Sequence, residues 1–267
     1  MALWIIATPI GTLDDLAPRA RQKLAEVAVL AAEDTRVTRR LLGALDIAAP
    51  PMQALHAHSD AAVYRALAQR AMDEDVGLVS DAGTPGVSDP GRELVEAVLA
   101  LGGEVRSIPG PSALAAALAA SGFPAAPSSF LGFPPRKGRE GFAERVLAHP
   151  ETLVLYEAPT RVAELLRVLA QVQPDREAVL CRELSKRYEE VLRAPLGELS
   201  AAIGAREEVR GECVVLIGPG TAHARQVPED DLGSLRGIAA ALAQRWGVSK
   251  RDAYQRLLAI ETELSES

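Results

Sequence analysis

Hydrophobic and polar positions follow two alternating rhythms in the first half of the chain. Short unbroken apolar runs cover Leu3–Ala7, Val29–Ala32 and Val76–Val79, and Val105–Ile108 reads as a further short strand. Runs of this length without polar alternation are typical of parallel strands buried on both faces. Each is followed by a loop and then by a segment with apolar residues at helical spacing, such as Leu94, Val95, Val98 and Leu101. Helices are predicted to start near Pro18, a residue suited to a first helical turn, and to run over Ala61–Met72, Arg92–Leu101 and Ala113–Ala120. Ser112 is positioned to cap the last of these and Gly122 to end it. Strand–loop–helix repetition of this kind predicts an α/β fold with a parallel sheet.

The pattern breaks at Phe123–Pro127, the best internal boundary. Beyond it the predicted strands are Phe130–Phe133, Thr152–Tyr156, Ala178–Cys181, a short Val191–Arg193 and Gly211–Ile217, with helices to about Ala148, over Thr160–Leu169 and over Leu196–Ile203. The domain reading is 1–122, 123–226, and a linker with a two-helix appendage over 227–267. In that appendage Ile238, Leu242 and Trp246 form one helical stripe, Ser249 caps a second helix through Leu258, and Glu261–Ser267 reads as a disordered tail.

Three loops after strands stand out. The longest is Ser80–Gly91, with Gly83, Gly86 and Gly91 among acids and prolines. Glycines at these points allow positive φ and a close approach of a ligand to backbone. Plain βα connections are shorter, roughly 2–6 residues. The other two are Thr8–Leu16 and Pro109–Ser112. In a parallel sheet all three lie outside the carboxyl ends of strands, where ligands bind. Neither a lysine-bearing phosphate loop nor Gly-x-Gly-x-x-Gly follows a strand, which disfavours a nucleoside triphosphate or an ordinary dinucleotide. No Gly-x-Ser-x-Gly elbow is present.

Composition adds modest limits. Of 267 residues, 48% are hydrophobic and 24% charged, an ordinary soluble balance. No apolar run reaches membrane-spanning length, and a cytoplasmic location is the default. Cys181 and Cys213 form no metal or redox motif and read as buried thiols. His56 and His58 alternate, but no third ligand accompanies them, so no metal is expected. The net charge is −7, so any nucleic-acid contact must rest on local basic clusters. Those are Arg36, Arg39 and Arg40; Arg136, Lys137 and Arg139; and Arg182, Lys186 and Arg187, with Lys250, Arg251 and Arg256 in the tail. Few aromatics interleave them, so backbone contacts and shape should dominate over base stacking.

Ordered motifs across nearly the whole chain carry a specific resemblance. They are Ala7-Thr8-Pro9-Ile10-Gly11, Ala32-Glu33-Asp34-Thr35-Arg36, Val79 through Gly91, Ile108 through Ala113, Gly132 through Lys137, Tyr156 through Arg161, Arg182 through Lys186 and Arg210-Gly211-Glu212. Together they resemble the tetrapyrrole methylase superfamily, and within it the bacterial methyltransferases of a cytidine ribose 2′-oxygen in 16S ribosomal RNA. Thr12 departs from that pattern, which usually has Asn there, and Leu55–Ser59 is a looser version of its His-Glu-His-Asn segment.

The resemblance implies S-adenosylmethionine as methyl donor, bound between two α/β domains. It also implies a homodimer acting on 16S rRNA or the assembled small ribosomal subunit. By motif position the donor contacts would be Pro9, Ile10, Asp81, Gly83, Thr84, Val87, Ser112 and Ala113, then Tyr156, Leu184, Gly211 and Glu212 from the second half. A ribose hydroxyl is a weak nucleophile, so a base or a cation beside the developing alkoxide would help. The candidates are Glu33, Asp34, Glu183 and Lys186, with Arg36 as a phosphate or alkoxide partner. The competing readings are a superfamily relative that methylates a tetrapyrrole or a protein side chain, and a non-catalytic ribosome-assembly binding protein.

Overall fold

The computed structural model describes residues 1–56, 59–220, 238–239 and 249–265. The unit Met1–Pro219 contains two five-stranded sheets. In the first, β1 (Leu3–Ile6), β2 (Val29–Ala32), β3 (Met52–Ala54), β4 (Val76–Val79) and β5 (Val105–Ile108) are all parallel, in the order β3-β2-β4-β1-β5. Every residue of β2 and β4 is buried, which accounts for their unbroken apolar sequence. Alternate strand residues point to opposite faces. Val29, Ala31, Val76 and Leu78 pack with α3 (Ala61–Asp73) and α4 (Arg92–Ala100). Leu30, Ala32 and Val79 pack with α1 (Pro18–Glu26) and α2 (Thr35–Ala44) on the other face.

The second sheet is mixed. It comprises β6 (Ser128–Gly132), β7 (Thr152–Glu157), β8 (Glu177–Arg182), β9 (Glu190–Pro195) and β10 (Cys213–Ile217), in the order β6-β7-β10-β8-β9, and only β6 and β7 are parallel. One face holds α6 (Arg139–Leu147), α7 (Pro159–Val172) and α8 (Leu196–Gly204). The other face is covered by α5 (Ala113–Ser121), the helix that leaves the first sheet after β5. Its Ala/Leu sequence is apolar on all sides, yet only Ala117 and Ser121 are buried, while Ala115 and Ala119 remain exposed. α5 therefore hangs from the first sheet by Ser112 and packs on the second.

Local expectations meet small corrections. Ser112 occupies the cap position of α5 but makes no side-chain capping bond; its carbonyl accepts from the Ala116 amide instead. Gly122 ends the helix at φ +79°. β3 stops before His56, so the two histidines do not share a strand; His58 lies outside the described residues. Both cysteines are buried free thiols, and burial pushes each up to about 11.

Gly220–Ser267 forms a separate unit. Its helix Lys250–Ser265 runs well past Leu258 and through most of the segment expected to be disordered. Ser249 caps it, accepting from the Asp252 amide at 3.1 Å. The expected linker at Pro228–Asp231 and the stripe residues Leu242 and Trp246 lie outside the described residues.

Candidate functional site

The three loops singled out in the sequence are tied together by hydrogen bonds. Thr8 and Gly83 exchange backbone bonds at 2.8 and 3.1 Å, a two-residue antiparallel bridge between the β1 and β4 loops. Thr84 Oγ1 donates to the Pro111 carbonyl at 3.0 Å, linking the β4 and β5 loops. Gly83 has φ +82°, and a Cβ there would sit 3.3 Å from Ile10 and 3.6 Å from the Pro111 carbonyl. β1 lies between β4 and β5, with the chain departing to either side, so these loops surround a switch point of the sheet.

A cavity of about 400 Å³ opens at this place, bounded by the β4 loop, the start of α5 and the ends of β7 and β10. That size suits a drug-sized ligand. Of the residues expected to contact a donor, Ile10, Asp81, Gly83, Thr84, Val87, Ser112, Ala113, Tyr156 and Glu212 line it; Pro9, Leu184 and Gly211 do not. Leu184 packs into the apolar layer under α5. Gly211, at φ +89°, lets the Glu183 side chain lie against its backbone. The lining also includes Ser88, Asp89, Phe133, Glu157 and Pro159, which the sequence alone does not single out. Asp89 is within reach of such a reading, since it sits inside the longest loop.

The electrostatics are one-sided. Glu33, Asp81, Asp89 and Glu212 line the cavity, and among the described residues no lysine or arginine does. Burial pushes the pKa of Glu33, Asp81 and Asp89 above the usual carboxyl values, and each also feels a neighbouring carboxylate. The Asp34 amide donates to Asp81 at 3.0 Å, holding the ends of β2 and β4 together. At neutral pH such a group of carboxylates favours a cationic ligand.

Of the five candidate catalytic residues, only Glu33 lines the cavity. Asp34 caps α2, accepting from the Arg36 amide at 2.8 Å and from its guanidinium at 2.6 Å, so its carboxyl lies well below the usual range. Arg36 is thereby paired, with its side chain 83% exposed. Lys186 stands 2.8 Å from Glu183 and 2.9 Å from Glu212. Burial opposes the Lys186 charge, but the two hydrogen bonds outweigh it and its pKa is raised. Through Glu212, this pair reaches the cavity wall.

The loop after β8 also clasps the β1 loop. Thr12 Oγ1 donates to the Ser185 carbonyl at 2.5 Å, and Ser185 Oγ donates to Asp15. Glu183 and Ser185 hold φ of +55° and +63°, an uncommon strain for non-glycine residues.

Two of the basic clusters change character. Arg139 is not on a surface loop: it starts α6, its side chain is 2% exposed, and it bonds the fully buried Glu157 at 2.6 Å. Arg182 is paired with Glu190, whose carboxyl is held at about 2 by the hydrogen bond from Arg206, joined by that from Arg182 and opposed by partial burial. Arg136 and Lys137 remain exposed and have no ion-pair partner among the described residues, as do Arg39 and Arg40. Among the described residues no group of three metal-ligating side chains occurs, and no helix is long and apolar enough to cross a membrane.

The family model for Tetrapyrrole (Corrin/Porphyrin) Methylases matches residues 2–200. The chain belongs to the tetrapyrrole methylase family, a class of S-adenosylmethionine-dependent methyltransferases. It is 41% identical to the Ribosomal RNA small subunit methyltransferase I of Pseudomonas aeruginosa, over 96% of each chain. The protein of the same name from Xylella fastidiosa is 45% identical over 80% of each. Among solved structures, uroporphyrin-III C-methyl transferase from Thermus thermophilus complexed with S-adenosylhomocysteine has the same fold: TM-score 0.54 at 22% identity, over 82% of this chain and 97% of that one.

Proposed function

We propose that this chain methylates the ribose 2′-oxygen of a cytidine in 16S ribosomal RNA, with S-adenosylmethionine held in the cavity described above. The observation that carries the reading is an acid-lined cavity at the loops of a methylase fold, in a chain 41% identical end to end to a ribosomal RNA small subunit methyltransferase. The residues suit the donor. Ile10, Gly83, Val87 and Ala113 offer small or apolar surface, Tyr156 an aromatic face, and Asp81, Asp89 and Glu33 negative charge toward a cationic group. The donor supplies a methyl on a positively charged sulfur, already activated for displacement.

The chain's own residues then have two tasks. One is positioning, which here contributes most, because an activated methyl needs an aligned nucleophile above all. The other is proton removal from the ribose hydroxyl. Glu33 is the residue we assign to it: it lines the cavity, and its raised pKa brings it nearer the range in which a carboxylate is an effective base. Lys186 acts by orienting the Glu212 carboxylate, with Glu183 as its second anchor. Asp34 and Arg36 act as a cap that fixes the backbone beside Glu33 and Asp81.

The functional organisation is two halves, 1–122 and 123–226, with the segment 227–267 as an accessory helical part. The working form is a cytoplasmic homodimer, and its substrate is the assembled small subunit or its RNA. Arg136 and Lys137 hold the RNA phosphates. Changing both to alanine is expected to weaken particle binding and lower the slope of log affinity against log salt by about 0.7–0.9 for each phosphate no longer neutralised. Donor affinity, measured by calorimetry, stays unchanged. An unaltered salt slope would remove this turn from the RNA-binding surface.

The reading is tested by offering tritiated S-adenosylmethionine with either unmodified small-subunit particles or a uroporphyrin-type tetrapyrrole. Label is expected in the particles alone. Label in the tetrapyrrole would move the chain to that branch of the family, and label in neither would favour a binding role without catalysis.

A further inference from the structure

Phe133 is one of the lining residues that the mechanism above leaves without a task. It follows β6 directly and lines the cavity, yet it is 55% exposed. Its orientation is fixed. Its ring stands edge-on to Tyr156 at 5.7 Å and 70°, and Tyr156 in turn meets Phe130 at 4.8 Å and 65°. The segment that carries it is a stiff turn. Gly132 and Gly138 bound it at φ +63° and +68°, and Pro134 and Pro135 restrict the backbone between them. The same turn presents Arg136 and Lys137, exposed and without ion-pair partners among the described residues.

An open aromatic face beside two uncompensated cations matches the two parts of a nucleotide, base and phosphate. The cavity interior sharpens the assignment. Its carboxylates repel phosphate, so a nucleotide that enters must leave its phosphates outside, and Arg136 and Lys137 follow Phe133 by three and four residues on the same exposed turn. A ribose that reaches Glu33 keeps its base in or beside the same cavity, whose lining includes the exposed Phe133 ring. Val87, on the β4 loop, adds a second exposed apolar residue to the cavity wall.

We propose that Phe133 is the stacking platform for the unpaired base of the nucleotide that is methylated, and so a specificity-determining residue. The inference rests on RNA being the substrate. It refines the expectation that backbone contacts dominate: most of the grip is on phosphates, while a single ring fixes the target base.

The test uses the full chain, tritiated S-adenosylmethionine and unmodified small-subunit particles, with Phe133→Ala, Phe133→Leu and Phe133→Trp beside the unaltered protein. Phe133→Ala is expected to raise KM for particles roughly 5- to 150-fold, the range that removal of a base–aromatic stack spans, a larger factor than its effect on calorimetric donor affinity. Phe133→Trp restores particle KM and Phe133→Leu does not, because only the former keeps a π face. A Phe133→Leu enzyme as good as Phe133→Trp would overturn the proposal, as would a Phe133→Ala enzyme with normal KM or with donor affinity weakened by as large a factor as particle KM is raised. An unaltered protein that fails to label particles would overturn the RNA reading itself, a result distinct from any of these.

Discussion

Replacing Arg139 with alanine is expected to destabilise the protein toward the lower end of the roughly 3–5 kcal/mol that an unpaired buried charge costs, because Arg161 still bonds Glu157. Glu157 is fully buried and accepts from Arg139 at 2.6 Å, from Arg161 at 2.9 Å and from the Ala158 amide at 2.8 Å. Removing Arg139 takes away its most buried partner. For a unit of this size the melting temperature should fall by roughly 2–4 °C per kcal/mol. Arg136→Ala and Lys137→Ala, on the exposed turn just before it, should each change stability by less than about 0.5 kcal/mol. Thermal and urea unfolding of the three variants separates them. An Arg139→Ala protein that melts with the unaltered one would mean that the Glu157 pair contributes nothing net.

The second large effect concerns the donor. Gly83→Val is expected to weaken S-adenosylmethionine binding at least about tenfold, some 1.4 kcal/mol. Gly83 holds φ +82°, a conformation in which a β-branched residue is strained, and it lies in the cavity wall against Ile10 and Pro111. The same wall predicts a pH dependence. Glu33, Asp81 and Asp89 have raised folded pKa values, so they favour the proton-bound form: they support stability at low pH and oppose it once ionised. A cationic ligand reverses that preference. Donor affinity should therefore rise with pH through the raised carboxyl range and level off above it, and fall as pH drops through it. S-adenosylhomocysteine, which lacks the sulfonium charge, should show the weaker dependence of the two. Calorimetry over a pH series checks this. Equal pH profiles for both ligands, or unchanged affinity in a folded Gly83→Val protein, would detach the β4 loop from donor binding.

Much of this is legible in the residues. Buried strands with helices between them leave apolar runs such as Val29–Ala32, whose bounds the structure reproduces. Ligand loops leave glycines and acids after such runs, which is why the β1, β4 and β5 loops stand out from the sequence alone. Long-range pairing leaves no such signal. Nothing local distinguishes Arg139, inside a buried pair, from Arg136, three residues earlier and exposed, because the difference lies in Glu157, far along the chain. Lys186 reads as a possible phosphate contact in part for the same reason: Glu183 is only three residues away, but its second partner, Glu212, comes from a separate strand end. Asp34 reads as a candidate base, and its Asp-Thr-Arg setting also fits the helix cap it forms. Phe133 sits in a segment that is visible as a motif, but its exposure on the cavity wall depends on how the second sheet approaches α5.

The most direct measurement of the central claim is the identity of the methylated product. Particles labelled by the protein with tritiated S-adenosylmethionine are digested to nucleosides and the radioactive one is identified. A single labelled nucleoside, 2′-O-methylcytidine from 16S RNA, is expected. Label on a base carbon or nitrogen, on another nucleoside's ribose, or in ribosomal protein would contradict the claim.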